Sequence, residues 1–212
     1  LRPLRHLREP KARHLRPQQQ PNRQSETHLG HSRAEIDETL VFRCHSSPAM
    51  YIVLLFPFLF LLHEIEEVVV QHRWMALHKD KLTQRFPRLR KLIEYLCSMT
   101  TKAFAVAASE ELLLLLLVTC YVLVDGPGSF YVWSAVFIAF AVHLHVHVVQ
   151  AVVVTGYVPG LLTTLLLLPY CYLGLQTIWL RTSGWEMLGL GIAGTLFIAL
   201  NLRFAHWLGK RV

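Results

Sequence analysis

Charge is scarce in this chain. Charged residues make up 17% of its 212 positions, where a soluble domain of this size carries about 25%. Hydrophobic residues reach 53%, and they gather into runs of about 20, the length a bilayer core requires. That combination excludes an ordinary water-soluble globule and points to a polytopic membrane protein. Cysteine is sparse as well. Cys44, Cys97, Cys120 and Cys171 are scattered without CxxC spacing, which excludes a disulfide framework and a zinc knuckle. The apolar runs form no evident repeat pair, and their halves distant from the basic linker described below contain almost no polar groups.

The charge that is present is uneven. The net value is +7; residues 1–49 hold nine Lys/Arg against five Asp/Glu, and residues 73–102 hold eight against two. A basic balance can signal nucleic acid, but a basic block between two apolar runs is explained by membrane topology, so no nucleic-acid partner is expected. Residues 1–49 are rich in Arg, His, Pro and Gln, with little apolar periodicity. They cannot bury enough apolar surface to fold. They read as a disordered basic extension, either transit-like or translated sequence upstream of a start at Met50.

From residue 50 to residue 212 the sequence predicts an all-α integral membrane bundle of about five transmembrane helices. The spans fall at about 50–71, 103–124, 130–155, 161–180 and 185–207, separated by "DGPG", "GYVPG" and "RTSG" turns. In lipid a span must satisfy its own backbone groups, hence helices. The Lys/Arg bias places the linker 73–102 and the C-terminal "GKRV" in the cytoplasm, giving a multi-pass topology.

Against this apolar background the polar residues stand out. The first span ends in "LHEIEEVV", with His63, Glu66 and Glu67 at i, i+3, i+4 on a shared helical face. Glu64 points off that face, toward a structural or interfacial role. Glu110 and Glu111 lie near the start of the second span, and one of the two is expected to join a site. His143, His147 and Gln150 lie at i, i+4, i+7 in the third span, with His145 aimed elsewhere. Asn201 and His206 end the fifth. At about 1.5 Å per residue, four helices deliver these groups to one layer about 5–15 Å below the cytoplasmic surface.

Ionisable groups in hydrocarbon cost at least about 2.5–3.5 kcal/mol each on insertion scales, so they should face the bundle interior and find partners. Carboxylates and imidazoles are also ligands of zinc, iron and manganese, and helical bundles build metal pairs from Glu and Glu-x-x-His motifs. The candidate metal ligands are therefore His63, Glu66, Glu67, His143 and His147. Glu66, Glu67 and Glu110 are candidate acid/base groups, and Gln150, Tyr157 and Asn201 candidate substrate contacts. The leucine-rich runs "ELLLLLLV" and "LLTTLLLLP" are expected to face lipid and carry no chemistry.

His63-Glu64-Ile65-Glu66-Glu67 resembles the motif of the HXXEE domain proteins, a family of multi-span membrane proteins. His147, Gln150, Tyr157, Pro159, Gly160 and Thr163 follow in the order of that family's second pattern: a histidine, Gln three later, a Tyr-x-Pro-Gly turn and a threonine. The family usually has Asn four residues before the histidine, where this chain has His143. The likeness covers about Met50 to Val212 and implies a membrane enzyme of unestablished reaction. Three functions fit these features. A divalent-metal enzyme could act on a lipid or other apolar substrate drawn from the bilayer. The alternatives are a proton- or cation-coupled transporter and a non-enzymatic scaffold or sensor.

Overall fold

The computed structural model describes residues 48–211. Six α-helices account for nearly all of them, with no strand among the described residues: α1 Pro48–Arg85, α2 Arg90–Cys97, α3 Thr101–Leu123, α4 Ser129–Val154, α5 Leu161–Trp179 and α6 Gly184–Gly209. A 3-10 turn, Pro87–Leu89, joins α1 to α2. The expectation of a disordered extension falls on residues outside those described, except Pro48 and Ala49, which already belong to α1.

Each of α3 to α6 is long and apolar enough to cross a membrane, and α1 adds the apolar run Tyr51–Leu62. The chain is an all-α integral membrane protein. Its outward surface fits that solvent: Leu113, Leu117, Leu162, Leu166 and Trp185 are all strongly exposed, as lipid-facing side chains are.

The helices start and stop where local chemistry dictates. Thr100 caps α3 by accepting from the Ala103 amide at 3.1 Å. Ser183 and Glu186 form a reciprocal capping box at the start of α6. Gly128 and Gly160, both with positive φ, precede α4 and α5. The principal difference from the sequence reading is at the end of the first span. With 38 residues, α1 is about 57 Å long at 1.5 Å per residue, far longer than a hydrocarbon core of about 30 Å. No Gly or Pro interrupts residues 58–85, so the helix runs on into its basic half. The linker 73–102 is therefore mostly helical.

Packing brings α1 against α3, α5 and α2, while α6 lies along α3 and α4. Gly194 of α6 meets the carbonyl of Ala135 so closely that a Cβ there would collide with backbone, the small-residue approach typical of membrane helices. The main core joins α1 and α4 through Phe56, Phe60, Phe137, Phe140 and Leu144. A second, smaller core forms from Met75, Leu82 and Ile93, with Phe86, Leu96 and Val154 against it. A cavity of about 550 Å³ lies against both cores.

Candidate metal centre

Two helices supply the centre in matching fashion. His63 and Glu67 sit one turn apart on α1, and His143 and His147 one turn apart on α4. Each residue offers one ligand atom, and the four atoms lie within 4.8 Å of one another. The His143 Nε2 is 3.1 Å from the Nε2 of His63 and 3.1 Å from that of His147. Glu67 Oε1 is 3.0 Å from His147 Nε2. The ring of Phe140 packs edge-on against His63, and His63 is completely buried.

The third side is backbone. Gly160 turns the chain into α5 at φ +80°, and a Cβ there would stand 2.9 Å from Glu67 Oε1, 2.9 Å from His63 Cε1 and 3.1 Å from His147 Cε1. Glycine is needed twice over, for the left-handed backbone and for the space.

Glu66 does not join the four. Its carboxylate turns to the start of α5, where it accepts from the Tyr157 hydroxyl at 2.7 Å, the Leu162 amide at 3.3 Å, the Thr163 amide at 2.7 Å and the Thr163 hydroxyl at 2.6 Å. Four donors fill the acceptor sites of an ionised carboxylate, and an anion is well placed at a helix N-terminus. Burial first, and then the bond to Glu66, push the Tyr157 phenol well above its ordinary value, so it stays a donor.

This contact fixes His63. The one hydroxyl proton of Thr163 is taken by its acceptors, the Glu66 carboxylate at 2.6 Å and the Gly160 carbonyl at 3.3 Å, so the Thr163 oxygen can only accept at its 3.0 Å contact with His63 Nδ1. The hydrogen of His63 is then on Nδ1, and Nε2 presents a bare lone pair to the cluster. A carboxylate acting through a neighbour on the far nitrogen of a ligating imidazole is the usual way a metal-binding histidine is oriented.

Hydrogen bonding alone does not account for the centre. If His143 Nε2 carries a hydrogen, it can donate to the His63 lone pair, but its second 3.1 Å contact, with His147, is then left without a shared proton; without a hydrogen it accepts from one partner at most. A cation held among the four atoms would account for the three short contacts, since each nitrogen could then offer it a lone pair. The three short contacts, 3.0–3.1 Å, are near the separation of about 3.3 Å for ligands at the zinc–nitrogen distance of about 2.0–2.1 Å in a tetrahedron. The donors present, three imidazoles and a carboxylate, can hold a divalent ion.

The other residues singled out in the sequence fall around this centre. Gln150 is exposed but lines the cavity with His143 and His147. Asn201 donates to Glu110 at 2.9 Å, joining α6 to α3, and Glu110 is not among the cavity-lining residues. Its neighbour Glu111 lines the cavity instead, with Oε1 buried and unpartnered. His145 bonds the Ala141 carbonyl of its own helix at 2.7 Å. His206 is buried and reaches the cavity wall.

The residue-by-residue reading missed four participants. Glu64, assigned off the working face, is buried and lines the cavity beside Glu67. Its i, i+3 relation to Glu67 carried the signal. Thr163 sits in a run expected to face lipid, and only its place in the second pattern marked it. Leu114 and Leu115, in the other such run, face the cavity rather than lipid.

The family described as "Protein of unknown function with HXXEE motif" matches residues 54–173, a stretch holding all four ligand atoms, Glu66, Gly160 and Thr163. No curated protein and no solved structure matches the chain.

Proposed function

Because the chain belongs to the HXXEE family, whose motif here supplies two of four converging ligand atoms, we propose that it is a membrane-embedded, divalent-metal-dependent enzyme acting on a lipid or similarly apolar substrate. The observation that carries this reading is a single juxtaposition. His63, Glu67, His143 and His147 offer a metal site, and Glu67, His143 and His147 also line an apolar cavity of about 550 Å³. Small-molecule sites have this character: mostly apolar walls with a few convergent polar groups.

His63, His143, His147 and Glu67 hold the ion, which is zinc, iron or manganese by its donor chemistry. A bound divalent ion supplies Lewis acidity and acidifies a coordinated water. The chain's own groups do the rest. Glu66, through Thr163, keeps the His63 lone pair turned inward, and Gly160 closes the cluster from behind. Phe140 and Phe60 exclude water from the α1–α4 side. Glu64 and Glu111 line the cavity outside the donor set, and in this reading one of them accepts the substrate-side proton as general base. Gln150, at the cavity rim, contacts the polar part of the substrate.

In the same reading the end of the bundle that bears the centre lies toward the cytoplasm. The support is the Lys/Arg excess of residues 73–102 and of the C-terminal "GKRV". The basic residues serve membrane topology and headgroups, not nucleic acid.

Elemental analysis of protein purified in mild detergent tests the proposal. The expected result is about one divalent ion per chain, set by the four-donor site, and its absence from His147→Ala. Protein that contains no metal and takes up none of zinc, iron or manganese on titration would remove the basis for this reading.

A further inference from the structure

The cavity that reaches the centre is open sideways. Leu89 and Leu92, beside and on α2, line it while remaining 50% and 53% exposed; Val149 and Val153 of α4 line it at 60% and 44% exposed. Side chains that are both cavity wall and outer surface mark a mouth, and this one has apolar lips. Its inner wall includes Leu115 (2% exposed) and Ala107 (3%). A water-soluble substrate gains nothing from apolar lips, whereas an acyl chain moving laterally from the bilayer meets no polar barrier.

Charge surrounds the same mouth. Residues 79–91 hold six Lys/Arg and one acidic residue, Asp80. Arg85 crosses from the end of α1 to the end of α4, donating to the Val154 carbonyl at 3.4 Å. Arg90 is paired with Glu94. Arg88 and Lys91 are exposed, and neither makes an ion pair among the described residues. The short helix α2 carries both functions: Ile93 is buried in the second core, Leu92 is at the mouth, and Lys91 is outside.

We propose that the mouth between α2 and the C-terminal half of α4 admits a membrane lipid with an anionic headgroup. Its acyl chain occupies the cavity and its headgroup is held by Arg85, Arg88 and Lys91. The inference rests on the enzyme reading above and narrows its substrate to a charged bilayer lipid. Charge complementarity selects the headgroup, because basic residues at a membrane surface attract anionic lipids, and the continuity of exposed and cavity-lining leucine and valine selects the chain.

The test uses the full chain in phosphatidylcholine nanodiscs, doped with a phosphatidylglycerol or a phosphatidylcholine that carries a photoactivatable group on its acyl chain. Adducts are mapped by mass spectrometry. The expected result is labelling of cavity positions such as Ala108, Leu115 and Ile198 by the phosphatidylglycerol probe in clear excess over the phosphatidylcholine probe. The double variant Arg88→Gln/Lys91→Gln should reduce that labelling about 30-fold, as loss of two surface cations predicts. It leaves the phosphatidylcholine signal alone. Ala108→Trp should block cavity labelling by both probes. Equal labelling by the two probes, or adducts confined to outward positions such as Leu113 and Leu165, overturns the proposal. Metal content, measured on the same samples, separates the two readings. Cavity labelling without metal upholds the lipid mouth and defeats the metal site; metal without cavity labelling does the reverse.

Discussion

The two sides of the acidic motif on α1 are chemically unlike. On the side toward α5, the polar groups around Glu66 are matched: Glu66 has four donors, Thr163 accepts from His63 and donates to Glu66, and Tyr157 donates to Glu66. On the side toward the cavity, matching fails. His143 Nε2 has one nitrogen contact too many, His147 Nδ1 has no partner, and neither does Glu111 Oε1. Buried polar atoms are usually satisfied, so a cluster of exceptions calls for a reason. Adjacent residues of one motif have thus divided the labour: Glu66 holds the frame, and Glu67 joins a group that could hold a metal ion.

Removing a donor tests the unmatched side most severely. His143 is the nitrogen that touches both others, and His143→Ala should abolish stoichiometric metal. The loss should exceed the 10–100-fold weakening, about 1.4–2.7 kcal/mol, that follows loss of an outer partner. Metal titration of the purified variant measures it. Retention of one ion per chain at unchanged affinity would mean that the four-donor centre is not where metal binds.

Gly160→Ala comes next. It forces a Cβ into 2.9 Å contact with Glu67 Oε1 and His63 Cε1 at a φ of +80°. The backbone strain alone is about 1–2 kcal/mol, a fall in Tm of about 2–8 °C for a chain of this length. Metal affinity should fall as well, because the added methyl displaces two ligands. A variant with lowered Tm but unaltered metal binding would show that the turn supports the fold and not the centre.

The matched side gives a smaller, more selective effect. Thr163→Val removes the oxygen that fixes the His63 tautomer, and metal affinity should drop about 10–100-fold. Thr163→Ser, which keeps the hydroxyl, should restore most of it. Rescue by serine separates a positioning role from packing: if Thr163→Ser is as weak as Thr163→Val, the methyl group matters and the hydrogen bond does not.

How much of this division was legible follows from the helical angle. Successive residues are about 100° apart. From His63, Glu67 lies at about +40°, Glu64 at about +100° and Glu66 at about −60°. Spacing therefore placed Glu66 and Glu67 with His63 on one face and set Glu64 off it, but could not say that the motif straddles two neighbours, α5 on one flank and the cavity on the other. The His63–Glu67 and His143–His147 pairs were legible because an i, i+4 pair survives any rotation of its helix. Glu111 over Glu110 was readable in part, since Ala103, Ala107 and Glu111 form an i, i+4 stripe whose alanines are buried. The helical course of 73–85 was not, because charge along a helix that leaves the membrane looks the same as charge in a linker.

The Glu110–Asn201 bond, whose two residues stand outside the cavity lining, supplies the control and the smallest effect. It joins α3 to α6 at 2.9 Å without lining the cavity. Asn201→Ala should cost about 0.6 kcal/mol, the average for hydrogen bonds between membrane helices, which is about 1–2 °C in Tm. Metal content and affinity should be those of the unaltered protein. The contrast in kind matters more than the size: a polar pair whose donor and acceptor are matched holds helices together and nothing else. If Asn201→Ala reduced metal binding as Thr163→Val does, Glu110 would belong to the centre. The line drawn here between satisfied and unsatisfied groups would then no longer separate framework from site.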